Sequence, residues 1–87
     1  MSSYKSQAIL LMSGPGGLAE LETAKNVVHE TLSPFSLAIE DVQSINMADR
    51  IILAMQIACD EAHLSAIEKD LKMKCAPLNL DVAAELL

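Results

Sequence analysis

The segment from Arg50 to Cys59, R-I-I-L-A-M-Q-I-A-C, is apolar at nearly every position. A β-strand of this composition has no polar face, so it needs cover on both sides of its sheet. The rest of the chain offers only two amphipathic helices, which can cover one face of a four-stranded sheet. We therefore expect the other face to be covered by a surface outside this chain.

Length and charge limit the classes of protein to which the chain can belong. Its 87 residues form one small domain, predicted to span residues 1–87. Twelve acidic against six basic residues give a net charge of −6, which argues against nucleic acid and anionic membranes as partners. No apolar run reaches the roughly 18 residues of a membrane helix, and the first residues lack a secretory pattern. We expect a soluble, cytoplasmic protein.

The cysteines and histidines form no complete metal or catalytic motif. Cys59 and Cys75 are sixteen positions apart without a C-x-x-C spacing, so we expect free core thiols in a reducing compartment. Cys59 and His63 are four positions apart, which resembles the beginning of a metal site, but a third ligand is not evident. His29 falls on the polar side of a helix. We expect no metal, no cofactor and no catalytic residue.

Glycine and proline separate a first strand from a first helix. Ala8–Met12 is an apolar run that the breaker cluster beginning at Gly14 should stop. From Leu18 the apolar positions recur every three or four residues, as in an amphipathic helix. These positions are Leu21, Ala24, Val28 and Leu32. The helix should end before Pro34, because the residue before a proline avoids helical geometry.

The middle of the chain predicts a hairpin. Ser36–Ile45 reads as an extended segment of mixed pattern. Leu37 and Ile39 share one face while Val42 falls on the other, and a β-bulge would reconcile them. A short turn at Asn46–Asp49 leads directly into the apolar strand described above. The two strands are therefore expected to pair in antiparallel fashion.

The last third predicts a second helix and an edge strand. Asp60 is the expected N-cap residue, and a second helical stripe follows it. The stripe consists of Leu64, Ile67, Leu71 and Cys75. After Pro77 the segment Leu78–Leu86 alternates between apolar and polar residues, which is typical of an edge strand with one wet face.

The order of elements predicts an α+β fold, the ferredoxin-like β-α-β-β-α-β sandwich, in which two helices pack on one face of a four-stranded antiparallel sheet. In this topology the first and third strands are central. Either of two side-chain sets could then face away from the helices, because one register step exchanges them. One set is Ile9, Leu11, Ile52 and Ala54, and the other is Leu10, Met12, Leu53 and Met55.

Burial of that outer face favours self-association. If roughly 500 Å² of apolar surface per partner leaves water, the gain is about 12 kcal/mol for each partner. Association costs about 4 to 15 kcal/mol. A homo-oligomer, most simply a dimer formed through the exposed sheet face, is therefore the expected assembly.

From about Gln7 to Leu86, the order of elements resembles an ACT domain, a regulatory module. That order is an apolar strand, a glycine-rich turn, a helix, a hairpin, a second helix and a last strand. The chain is most similar to the ACT domains that precede phosphoserine phosphatases. Their first turn has the pattern G-x-D-x-P-G followed by a branched residue, and here it reads Gly14-Pro15-Gly16-Gly17-Leu18. The turn keeps the flanking glycines but is two residues shorter and lacks the acid and the second proline.

The resemblance implies a regulatory role in serine biosynthesis, with a small amino acid bound near the turn and a covalently linked enzyme domain as a further partner. That enzyme domain would carry an Asp nucleophile and a magnesium ion. The predicted ligand-binding residues are Gly14, Pro15, Gly16, Gly17 and Leu18. Independently of the family, backbone N–H groups at a helix start can hold a carboxylate, and glycine lets the ligand approach closely. We expect Gly16, Gly17 and Leu18 to supply these donors.

Four other interpretations remain open. The glycines could serve only a tight turn into a closely packed helix. The domain could be a pure oligomerisation module without ligand. Gly14-x-Gly16-x-x-Ala19, with Glu40 and Asp41 some twenty positions later, also matches a dinucleotide-binding fingerprint. Finally, a small ferredoxin-like enzyme remains possible, although no acid, base and nucleophile set is evident.

Overall fold

The computed structural model describes residues 6–87, which form the predicted β-α-β-β-α-β sandwich. The elements are β1 (Ser6–Pro15), α1 (Leu18–Leu32), β2 (Leu37–Met47), β3 (Arg50–Cys59), α2 (Glu61–Cys75) and β4 (Asp81–Leu86). The sheet order is β2-β3-β1-β4, and every neighbouring pair is antiparallel. The ferredoxin-like fold and the central positions of β1 and β3 are therefore confirmed.

The helices bury the apolar stripes that their sequences predict. In α1 the predicted stripe is buried from Leu21 to Leu32. In α2 the residues Ile67, Leu71 and Cys75 are buried, and α2 packs against β1 and β4 while α1 lies mainly over β3. Neither helix within residues 6–87 is long and apolar enough to cross a membrane.

The structure decides which side of the sheet faces the helices. The side chains on the helix side of the two central strands are fully buried, and they include Leu10, Met12, Leu53, Met55 and Ile57. Their alternating neighbours, the set that begins with Ile9, point the other way and are half-buried or exposed. The core of the domain therefore lies between the sheet and the helices.

The predicted bulge in β2 is confirmed. The register of β2 against β3 shifts between Ile39 and Asp41, so one residue of β2 is extra. As a result Val42 stands opposite Met55 on the helix side, the same side as Ile39. Without the extra residue Val42 would have fallen on the opposite face, because side chains alternate along a strand.

Two predicted boundaries at one end of the sheet are wrong. β1 does not stop at Gly14, because Gly14 and Pro15 continue the ladder opposite Ile51 and Arg50. The hairpin turn is also shorter than the predicted four residues. It consists of Ala48 and Asp49, with φ of 51° and 58°, as in the tight turns that match strand twist.

The start of the last strand is also corrected. β4 begins at Asp81 rather than Leu78, because residues Ala76–Leu78 form a single 3-10 turn after α2. Asn79 then adopts a left-handed conformation with φ of 59°, and Leu80 is buried. The chain therefore needs three more residues than predicted to turn from the helix into the sheet.

Candidate functional site

The predicted ligand turn, Gly14–Leu18, lies between the end of β1 and the start of α1. The end of the β2–β3 hairpin holds it through two hydrogen bonds. The Gly16 N–H donates to the Asp49 carbonyl oxygen over 2.8 Å, and the Asn46 side-chain amide donates to the Gly16 carbonyl oxygen over 3.1 Å. The same Asn46 amide also donates to the Arg50 carbonyl oxygen over 3.1 Å. The N–H and the carbonyl oxygen of Gly16, the central residue of the turn, are therefore both bonded to the hairpin.

Two glycines of this turn are required by the fold. Gly14 is buried, and a Cβ there would stand 2.5 Å from the Asn79 carbonyl oxygen. Gly16 has φ of +148°, which side chains rarely allow, and a Cβ would stand 2.5 Å from that of Glu20. Gly17 is different, since its nearest neighbour would be a Glu20 oxygen at 3.6 Å. These contacts support the view that Gly14 and Gly16 serve the tight turn.

The structure uses two of the three predicted amide donors internally. The Gly16 N–H is taken by Asp49, and the Gly17 N–H donates to the Glu20 carboxylate over 2.6 Å. Glu20 lies three residues after Gly17, the N-cap residue, so it acts as the glutamate of a capping box. A carboxylate of the chain itself therefore already sits at the positive end of α1.

The third predicted donor is the Leu18 N–H. Leu18 is the first residue of α1, where amides have no intrahelical acceptor, and its N–H makes no hydrogen bond within residues 6–87. Gly17 has no side chain with which to cap this turn, and the Leu18 side chain is 70% exposed. The exposed Arg50 stands opposite Pro15 in the ladder. The first turn of α1 therefore combines a capping carboxylate, Glu20, with one amide, that of Leu18, which the described residues leave without an acceptor.

The outer face of the sheet is the second candidate surface. Leu11 and Ile52, on the two central strands, are each 39% exposed. Ile9 and Ala54 on the same face are half-buried. The face therefore presents apolar side chains from both central strands, as the composition of β3 predicts.

The two thiols are buried, as the sequence predicts. Cys59 and Cys75 are free and have no exposed surface. Burial raises the pKa of both thiols above its ordinary value, and the charge of Asp60 raises the pKa of Cys59 further. His63 is exposed on α2. In the part of the chain that the structure describes, no three His, Cys, Asp or Glu side chains are placed to hold a metal ion.

Both thiols should react slowly with Ellman's reagent in the native protein and rapidly after unfolding in guanidinium. Because the folded state keeps protons that the unfolded state releases, the thiols contribute stability that is complete below their ordinary pKa of 9.0. That stability is lost as pH rises through the higher folded-state pKa. Urea titrations across this range should show it, and a Cys59→Ala, Cys75→Ala variant should show a smaller decline. Fast native labelling would contradict the assignment.

The dinucleotide interpretation is wrong. It requires a parallel β-α-β unit, whereas β1 pairs antiparallel with both of its neighbours, β3 and β4. Glu40 and Asp41 lie on the edge strand β2, at its bulge. The glycine spacing therefore reflects the turn into α1.

Several residues around the turn were missed by sequence reasoning. Glu20 could have been found, because Glu three residues after a helix N-cap is a capping-box signal. Asn46, Asp49 and Asn79 reach the turn from 30 or more residues away. No local pattern marks such contacts, so they follow only from the packing of the hairpin and the 3-10 turn.

Comparison with known proteins gives a family. The family model described as "ACT domain" matches residues 25–85, more than half of the chain. The match begins within α1, so the Gly14–Leu18 turn lies outside it. No curated protein matches the chain.

Solved structures share the fold. An ACT domain protein from Streptococcus pneumoniae is 13% identical, with a TM-score of 0.73, over 93% of this chain and 89% of that one. The ACT domain from GTP pyrophosphokinase of Chlorobium tepidum is 13% identical, with a TM-score of 0.65, over 95% and 100%. A formyltetrahydrofolate deformylase from Burkholderia mallei is 10% identical, with a TM-score of 0.71, over 93% of this chain but 28% of that one. Given the family match and this shared fold, the chain belongs to the ACT domain family.

Proposed function

We propose that this chain is a regulatory domain that binds a small amino acid at the Gly14–Leu18 turn and assembles through the outer face of its sheet. ACT domains are in general regulatory modules that bind amino acids. The observation that carries the proposal is the start of α1. The helix begins at a turn anchored to the hairpin, with a Leu18 amide that has no acceptor among the described residues and the Glu20 carboxylate beside it.

This arrangement suits a zwitterion. The carboxylate of an amino acid would accept from the Leu18 N–H at the positive end of α1. Its ammonium group would donate to the Glu20 carboxylate. Glu20 would then exchange its hydrogen bond from the Gly17 N–H for one from a charged donor. A small side chain is expected, because Glu20 and the Asp49 carbonyl oxygen crowd the turn.

Calorimetry with glycine, serine and other small amino acids tests the ligand site. We expect at least one of them to bind, and Glu20→Gln to weaken that binding about tenfold or more, since a hydrogen bond to a charged group contributes about 1.5 to 3 kcal/mol. Glu22→Gln is the matched control, because Glu22 is exposed on the same helix and pairs with Lys25. Absence of binding by every amino acid tested would refute the ligand site.

A pure assembly module without ligand is the second candidate. The internal use of the Gly16 and Gly17 amides favours it, because Asp49 and Glu20 already satisfy them. In that case Glu20 is a permanent cap of α1. The same calorimetric series separates the two candidates.

The finer assignment is regulation of a phosphoserine phosphatase in L-serine biosynthesis, with serine as the ligand. Its support is the likeness of the first turn, in which Gly14, Gly17 and the apolar Leu18 match the pattern of those ACT domains. The test is the natural reading frame around Leu87. Continuation into a domain with an Asp nucleophile would support the assignment, and a natural stop there would weaken it.

A further inference from the structure

The outer face of the sheet has a nearly square outline whose corners can be named from the strand register. Ile45 and Asp41 mark two corners on the edge strand β2, and Asp81 and Glu85 mark the other two on the edge strand β4. Ile45 and Asp81 are the outermost residues of one row of side chains that crosses the four strands. Asp41 and Glu85 are the outermost residues of a second row, four residues further along the strands. With strand spacing near 4.8 Å and a rise near 3.4 Å, each side is about 14 Å.

The centre of this square is apolar and its corners are acidic. Leu11 and Ala54 lie opposite each other at its centre, with Ile52 and Ile9 on the two end rows beside the polar residues Ser13 and Gln56. Three of the four corners, all except Ile45, carry exposed carboxylates. Neither ion pair formed within residues 6–87 involves these three acids.

We propose that this face docks a different protein surface, one that carries basic side chains around an apolar centre, in preference to a second copy of the chain. The inference rests on the assembly role of the face in the proposed function and names its partner. It replaces the homodimer that the apolar content of β3 alone suggests.

Symmetry makes the second copy a poor fit. In a face-to-face dimer centred on the square, a two-fold axis places each corner of one copy against a corner of the other. Only one corner lacks a carboxylate, so at least two of the three acids in each copy must face an acid. This holds whether the strands of the two sheets run along or across each other. Like charges placed opposite each other in an interface act against that partner.

Within residues 6–87, the chain does not supply the missing cations from the same face. Of the basic residues that the structure describes, only Arg50 points outward from the sheet, beyond the row of Ile45. The four described lysines are on the helices, which cover the other side of the sheet. They are Lys25, Lys69, Lys72 and Lys74.

The patch is also small. Counted with the full width of the four strands and the length of about six residues, it covers roughly 400 Å², and this area includes the acidic corners. A stable interface typically buries about 800 Å² per partner. The charges at the rim therefore weigh heavily in the choice of partner, and a basic rim on the other side both removes the repulsion and adds attraction.

A charge-reversed copy of the chain is the direct probe. The variant Asp41→Lys, Asp81→Lys, Glu85→Lys keeps the apolar centre and presents basic corners in matching geometry. Sedimentation of wild type, variant and their equimolar mixture should show association in the mixture that is roughly tenfold or more tighter than in either protein alone, since at least two corner pairs become attractive. Added salt should weaken the mixed complex. Leu11→Glu in both partners should abolish it.

Other results would overturn the proposal. A wild-type dimer as tight as the mixed complex would restore the second copy as partner and leave assembly through the sheet intact. A mixture that stays monomeric would show that the corners do not select a basic partner.

If the lysine variant does not fold, Asp41→Asn, Asp81→Asn, Glu85→Gln replaces it. This neutral variant should self-associate more tightly than wild type, and equal association would refute the role of the acids. The calorimetric test of the amino-acid site is independent of every one of these outcomes.

Discussion

Ile51→Ala should destabilise the domain by about 2 to 5 kcal/mol, whereas Ile52→Ala should cost about 1 kcal/mol or less. The two residues are neighbours with the same side chain, but Ile51 is 2% exposed on the helix side and Ile52 is 39% exposed on the outer face. Truncation of the Ile51 side chain to a methyl group leaves a cavity between β3 and α1. Urea unfolding followed by circular dichroism measures both effects.

The pair of variants also separates folding from assembly. An 87-residue domain has a small core. The stability lost in Ile51→Ala should therefore be a large part of the total free energy of unfolding, and the urea midpoint should fall. Ile52→Ala should leave the midpoint of the monomer nearly unchanged and weaken binding of a partner to the outer face. Equal loss of stability in the two variants would contradict the assignment of the faces.

Gly14→Ala should cost about 1 to 3 kcal/mol, as insertion of an extra methyl group into a packed site does. The new Cβ would stand 2.5 Å from the Asn79 carbonyl oxygen and 2.8 Å from a Leu80 methyl group. The backbone oxygen cannot rotate away, so the 3-10 turn before β4 must move. Thermal and urea unfolding measure the loss, and a stability equal to wild type would show that this contact is not tight.

Gly17→Ala is the matched control in the same turn. Its Cβ would meet only a Glu20 oxygen at 3.6 Å, and Gly17 has φ of −107°, which any residue adopts. We expect a change within about 0.5 kcal/mol. The Gly17 N–H is unaffected by the substitution, so binding of an amino acid at the turn should also persist. Destabilisation as large as that of Gly14→Ala would contradict the distinction between the two glycines.

The candidate site was only partly predictable. The location of the turn followed from the glycine cluster after a strand and before a helix, which is a local signal. The sequence did not show which amides of the turn are already hydrogen-bonded, because the acceptor for the Gly16 N–H is the carbonyl oxygen of Asp49, 33 residues away. A sequence can show that donors exist at a helix start, but only the packed hairpin shows which of them are already used.

The sequence by itself determined the order and type of the elements, the central place of the two apolar strands and the bulge in β2. These depend on short-range periodicity, which differs between helix and strand. Only the tertiary structure decided that Ile9, Leu11, Ile52 and Ala54 face outward, because both alternating sets of β1 are apolar and one step of register exchanges them. It also decided that three carboxylates surround this set, since the corners come from strands about 40 residues apart that meet only when the sheet is assembled.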